Sequence, residues 1–360
     1  MHIHLKVAFV FAVLLLCIAL PLAAEGEPEP PADITVEDSF GRTVEFPEVP
    51  SRIVLAGRAT IMLVDAIYLF PDVGERIVAV GRTNQGIGDF FPVLDDDPGA
   101  KRRLGRSAGA EEILAADPDL VILKSQMRST LGTALENAGA TVLYLDLETP
   151  EQYARDIRVL GDVLDQPERA AEIVSLIEER AEALREATGG LERPEVLVLS
   201  YTRSGEEYSF RVSPESWIQT DQVRLAGGEP MWAAAATSPG WNQIEFEQIA
   251  AWDPQVIVLI SYRTDAAEPK RRVLADELWA ELQAVENGRV YAMPSDYYSW
   301  GQPDTRWILG AEWMAYALHP AQFEEPFEQR IRAFFSEFYG IGEQAYRAEI
   351  APRLSGDLVE

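Results

Sequence analysis

Apolar and polar positions follow two rhythms along this chain. From Ile34 the segment ITVEDSFGRTVEF alternates between them on both sides of a Ser39-Phe40-Gly41 turn, the period of a half-buried hairpin. Farther on, apolar residues gather into short continuous runs: RIVLAG at 52–57, Ile77–Gly81, Leu120–Leu123, Val142–Leu145, Val196–Ser200, Val256–Ser261 and Val290–Met293. Runs of this length predict strands buried on both faces, and helical patterns separate most of them. The alternation predicts an α/β fold with mainly parallel sheets.

One stretch occurs twice, EEILAADPDLVIL at Glu111–Leu123 and EQIAAWDPQVIVL at Glu247–Leu259. Each copy predicts a short helix stopped at an Asp-Pro pair and then a buried strand. Two such units, each inside the alternating pattern, predict two similar α/β lobes with a ligand cleft between them. The segment Pro167–Gly190 lies between the copies. Pro167 suits the first helical position and Gly189-Gly190 the end, while Ile173, Leu176, Ile177 and Leu184 share one face. At ~1.5 Å per residue such a helix is about 30 Å long, enough to bridge two lobes as one strut. The predicted order is a signal peptide at 1–24, a Pro- and Glu-rich leader at 25–33, an N-terminal lobe at 34–166, the linking helix at 167–190, a C-terminal lobe at 191–325 and a helical extension at 326–360.

The first segment sets the compartment. An apolar run, Val7 to Leu20, precedes Pro21 and the small pair Ala23-Ala24, the pattern of a secretory signal cleaved after Ala24. The run falls short of the ~20 residues that span a bilayer. The only cysteine, Cys17, lies inside it behind the bulky Leu16, so no lipid anchor is expected. Cleavage leaves no thiol for a disulfide, a thiolate ligand or a cysteine nucleophile.

Charge narrows the partners. Asp and Glu number 59 against 31 Lys and Arg, a net charge of −28, which disfavours nucleic acid and anionic membranes. Against that background an arginine at a strand end provides local positive potential. Open α/β sheets bind ligands beyond the carboxyl ends of their strands. Those places hold Arg58, Arg82, Lys124, Ser125, Arg128, Tyr201, Arg203, Ser261, Tyr262 and Arg263. A single such arginine is also an ordinary solvated loop residue or ion-pair partner. Recurrence in both halves points instead to forked donors converging on an anion. Tyr297, Tyr298 and Trp300 crowd the loop before a helix predicted from Pro303, where core packing competes with a ligand wall. Arg306 opposes the dipole of that helix, so a nearby acid or a bound anion is expected to compensate it.

Several pieces together resemble the periplasmic substrate-binding proteins for ferric siderophores, haem and cobalamin. They are ITVEDSFGRTVEFPEVPSRIVLAG, the two E-x-I-x-A-x-x-P units, AGGEP at 226–230 and SDYYSWGQPDTRWILG at 295–310. The resemblance implies a monomer of two Rossmann-like lobes joined by one long helix, with no cofactor of its own. It implies a periplasmic protein that delivers an anionic metal chelate, such as a ferric siderophore or similar iron complex, to the permease of an ATP-driven importer. The tail AFFSEFYGIGEQ resembles a branch with molybdate- and tungstate-binding members, which leaves an oxyanion as the alternative. Trp241 aligns with a cleft tryptophan of the cobalamin-binding relative. Glu111 and Glu247 fall in first helical turns, where a carboxylate is a macrodipole partner; the resemblance implies that they dock on permease arginines.

A secreted enzyme is the competing class. The chain carries no nucleophile elbow, P-loop or zinc motif. His2 and His4 leave with the signal peptide, and His319 sits in an ALHP helix end, so no direct metal site is expected.

Overall fold

A computed structural model describes residues 34–82, 85–204, 207–323 and 325–359. The expected signal peptide and leader lie outside these residues.

Strands β1 (Ile34–Glu37) and β2 (Thr43–Phe46) form the antiparallel hairpin, with Gly41 at φ 69° in the turn. Only glycine enters that left-handed region without strain. Five parallel strands follow in the order β5-β4-β3-β6-β7: β3 (Ile53–Leu55), β4 (Ile77–Gly81), β5 (Arg102–Leu104), β6 (Leu120–Lys124) and β7 (Val142–Leu145). Helices cover both faces, so β3, β6 and β7 are buried at every position, and their sequences are apolar runs broken only by Lys124 at the end of β6.

The second sheet is mixed. β8 (Glu195–Ser204) pairs in parallel with β12 (Val256–Ile260) and with β10 (Glu229–Pro230), and β12 pairs in parallel with β13 (Val290–Ala292). On its other side β8 turns into an antiparallel hairpin with β9 (Glu207–Val212), which pairs with the edge strand β11 (Asn242–Ile244). The apolar run predicts β8 only as far as Ser200. Pairing of Ser200–Ser204 with β9 extends it, so Tyr201 and Arg203 stand in the strand and not in a loop after it.

The repeat is matched in three dimensions. Both copies run from a short helix (Ala110–Leu114 and Phe246–Trp252) into a central strand, and both turn through an aspartate in left-handed conformation, Asp117 at φ 52° and Asp253 at φ 44°. Aspartate tolerates that region better than most residues.

A helix over Pro167–Thr188 connects the lobes, burying Ile173, Ile177 and Leu184. It is not the only tie. The backbone N–H of Gly86 donates to Tyr262 O at 2.8 Å and that of Ile87 to Tyr297 O at 2.8 Å, carrying an N-lobe segment onto the C-lobe. A Cβ on Gly86 would stand 3.0 Å from the Tyr298 ring, and its φ is +85°. Helix Glu328–Tyr339 is tied to the linking helix by Arg180, which bridges Glu312 and Glu337 at 2.9 and 2.7 Å. One apolar core runs through both lobes, with a smaller cluster on the other face of the first sheet.

Candidate functional site

A cleft of about 600 Å³ opens between the lobes at the carboxyl ends of the strands. Its C-lobe wall is aromatic and cationic. Trp217 meets Trp241 edge-on with ring centroids 5.4 Å apart, and Trp241 meets Tyr262 at 5.9 Å. The Arg211 guanidinium lies 5.3 Å from the Trp241 ring centroid, close enough for a cation–π contact. Its Nε is buried without a hydrogen-bond partner. Burial and the like charge of Arg263 lower the Arg211 pKa. Among the described residues no carboxylate pairs with Arg211 or Arg263, whereas Arg203 reaches Glu268 at 3.4 Å.

The N-lobe wall has a different character. Ala59, Met62, Gln85, Gln126 and Glu148 line it, and no arginine is among its described residues. Glu148 pairs at 2.9 Å with Lys124, whose side chain is almost wholly buried and also donates to Asp146 O. Gln219, Gln302 and Pro303 complete the lining. Gln219 donates to Tyr262 Oη at 3.2 Å and to Gly301 O at 2.9 Å, fixing the phenol whose ionisation burial disfavours.

The pattern of the family described as periplasmic binding protein matches residues 74–297. The chain belongs to the periplasmic binding protein family. Its members are the solute-binding partners of ATP-binding-cassette importers. The chain is 22% identical to the molybdate-binding protein MolA of Haemophilus influenzae over 86% of this chain and 91% of that one. It is 26% identical to the vitamin B12-binding protein of Salmonella typhimurium over 70% of this chain and 89% of that one. A solute-binding protein structure from Sulfurospirillum deleyianum superposes with a TM-score of 0.68 at 23% identity, covering 88% and 98% of the two chains.

This binding protein brings together Tyr201, Arg203, Trp241, Ser261, Tyr262 and Arg263 from the sequence-predicted set. The others lie elsewhere. Arg58 and Arg82 are exposed but outside the cleft lining, and Ser125 stays outside while its neighbour Gln126 enters. Arg128 stacks 4.5 Å over Phe40, which ties it to the hairpin. Tyr297 is buried under Arg353, and its hydroxyl meets Glu349 at 3.3 Å. Trp300 is fully buried and donates through Nε1 to Asp296 at 2.9 Å.

Arg306 requires the clearest correction. It is 0% exposed, bound to Asp65 at 2.6 Å and Asp296 at 2.8 Å, so buried acids and not a ligand compensate it. The periodicity missed Arg211, Trp217, Glu148, Gln219 and Gln302. Only Arg211 had a local signal, the alternation of EYSFRV, which places Arg211 on the face opposite Phe210 and Val212.

Glu111 and Glu247 are both exposed in the first turns of their matched helices. His319 is held at Gly227 O at 3.3 Å, and burial lowers its imidazole pKa. Among the described residues no group of three or more His, Cys, Asp or Glu side chains could hold a metal ion, and no helix is long and apolar enough to cross a membrane.

Proposed function

We propose that this periplasmic binding protein captures an anionic metal chelate, foremost a ferric siderophore or similar iron complex, and delivers it to the permease of its importer. It acts by binding and not by turnover, as a monomer exported by cleavage after Ala24. The observation that carries this reading is Arg211 beside Arg263. Two guanidiniums lining one cleft, with no carboxylate partner among the described residues, in a chain of net charge −28, are the electrostatic mark of an anion site. The tryptophan and tyrosine wall suits the aromatic or apolar faces of an organic chelator.

Size favours the chelate over the alternative. A cleft of about 600 Å³ fits an organic ligand of drug size, whereas a tetrahedral oxyanion displaces only a few waters at about 30 Å³ each. Similarity to MolA favours molybdate or tungstate as the second reading. Glu111 and Glu247 would dock on the permease from equivalent places on the two lobes.

A thermal-shift screen of the mature protein against ferric chelates, haem, corrinoids, molybdate and tungstate distinguishes these readings. A true ligand at 100 times its dissociation constant stabilises the native state by about 2.7 kcal/mol. Stabilisation by molybdate alone would replace the chelate reading with the oxyanion reading.

A further inference from the structure

One N-lobe segment makes its backbone contacts on the other lobe, and ligand capture leaves that arrangement unassigned. Residues 85–88, Gln-Gly-Ile-Gly, lie between β4 and the short helix Phe91–Leu94. Their amides bind the C-lobe: Gly86 N–H donates to Tyr262 O at 2.8 Å, Ile87 N–H to Tyr297 O at 2.8 Å and Gly88 N–H to that same oxygen at 3.3 Å. The far end is anchored twice. Asp89 accepts from Arg103 of β5 at 2.8 Å, and Phe90, 0% exposed, seats its ring 5.1 Å from that of Tyr297 and 5.4 Å from that of Tyr339.

The sequence is fitted to this crossing. Gly86 has φ +85°, the left-handed region that side chains rarely enter, and a Cβ there would stand 3.0 Å from the Tyr298 ring and 3.1 Å from Tyr297 O. A Cβ on Gly88 would stand 2.9 Å from the Tyr297 ring. That ring has little room to yield, since it is buried and packed by Phe90 and by the Arg353 guanidinium, 4.7 Å from its centroid. Two glycines one residue apart thus let the backbone lie directly against the C-lobe tyrosines.

Tyr262 connects the crossing to the site. Its ring lines the cleft beside Trp241, its hydroxyl donates to Gly301 O at 3.0 Å and accepts from Gln219 at 3.2 Å, and its carbonyl holds Gly86. The tyrosine is therefore fixed at both ends. Gln85, one residue before that carbonyl contact, is the segment's member of the cleft lining. We propose that residues 85–88 form a fixed strap that borders the cleft and positions Gln85 at the junction of the two walls as a specificity-determining contact for the ligand. This deepens the ligand reading and rests on it for the role of Gln85; the strap itself stands on its backbone contacts. The Gln85 amide carries N–H donors, which suit the oxygens of the anionic ligand that Arg211 and Arg263 attract.

A fixed strap has a thermodynamic consequence. Ordering the backbone of one free residue costs about tenfold in an equilibrium constant, so a strap that settled only on binding would weaken affinity for each residue it ordered. Here the ordering belongs to folding, where the burial of Phe90 and the backbone bonds offset it. The ligand meets a wall already in place. A loop that merely packed would influence stability alone, whereas this strap influences affinity through the side chain it carries.

Hydrogen exchange on the ligand-free wild type reads the strap without any ligand. The Gly86 and Ile87 amides should exchange at least about tenfold more slowly than free-peptide amides, the protection of two backbone bonds at their usual net strength; exchange at the free-peptide rate overturns the strap. The ferric complex of 2,3-dihydroxybenzoate, followed by tryptophan quenching, reads its role. Gln85→Ala should bind this probe about tenfold more weakly while the strap amides stay protected and the unfolding midpoint is unchanged. Gly86→Ala should lose the protection and about the same affinity, whereas Gly288→Ala, at a glycine with φ +66° and open space around it, should keep both. Parental binding by Gln85→Ala overturns the positioning role, and so does parental binding by Gly86→Ala once its strap amides exchange freely. Should Gly86→Ala not fold, Gly88→Ala serves in its place. If the wild type does not bind the ferric probe, the chelate reading fails and molybdate becomes the probe; binding of neither removes the role of Gln85, while the exchange result still decides the strap.

Discussion

At the scale of single residues, arginines divide by what surrounds them. Arg306 stood out in the sequence because a cation in the first turn of a helix needs compensation. An acid and a bound anion were both possible partners. One compensating acid, Asp296, lies 10 residues earlier in the chain; the other, Asp65, lies across the fold, and no local pattern announces a contact so distant. Arg211 is the reverse case: its strand β9 carries only a short alternation, yet its guanidinium faces the cleft. Removing Arg211 should therefore cost a bound chelate about 2–5 kcal/mol, mostly through faster dissociation, while removing the exposed Arg263 should mainly change association rate and salt dependence. Stopped-flow kinetics of the two alanine variants measures both effects, and equal, salt-independent affinities in both would remove the anion site. Asp65→Ala should behave differently again. It removes one of the two carboxylates that hold Arg306 and leaves the Thr305 and Tyr339 donors without their acceptor, and denaturant unfolding should show a loss of about 3–5 kcal/mol.

Elements buried on both faces were legible because burial writes itself as an uninterrupted apolar run. The central strands β6 and β12 emerge from the repeated segment within one residue of their observed ends. β9 and β11 were not legible. They sit at the open side of a mixed sheet, half exposed, and strands of three to six residues with mixed polarity carry little periodic signal. The linking helix, with Pro at its start and Gly after its end, was legible by its caps. The matched helices give the docking hypothesis a clean test, since their glutamates point outward and take no part in the cleft lining. Changing Glu111 and Glu247 together to Ala should leave ligand affinity within about twofold, a few tenths of a kcal/mol, and reduce uptake through the cognate importer. Uptake at the parental rate in a reconstituted importer would return both residues to the plain role of macrodipole partners.

The whole molecule resists opening for more reasons than its strut. A single helix packed along Ile173, Ile177 and Leu184 bends little without losing backbone hydrogen bonds. To this the structure adds the Gly86–Tyr262 backbone bond, the Asp65–Arg306 pair and the C-terminal helix held by Arg180. A core continuous through both lobes would have to break for a wide hinge motion, exposing apolar surface at roughly 25 cal/mol per Å². Ligand-free and ligand-bound forms should then have nearly the same radius of gyration in solution scattering. A large fall on binding would mean that the ties release together, which none of these contacts accommodates. Loosening should be possible by design: a Gly pair replacing Ser175 and Leu176 at mid-helix weakens the strut by about 1 kcal/mol per residue. If the remaining ties hold the lobes as argued, that variant should lose stability while keeping its compact dimensions and most of its ligand affinity. If the strut alone sets the geometry, its radius of gyration should rise and binding should weaken with it.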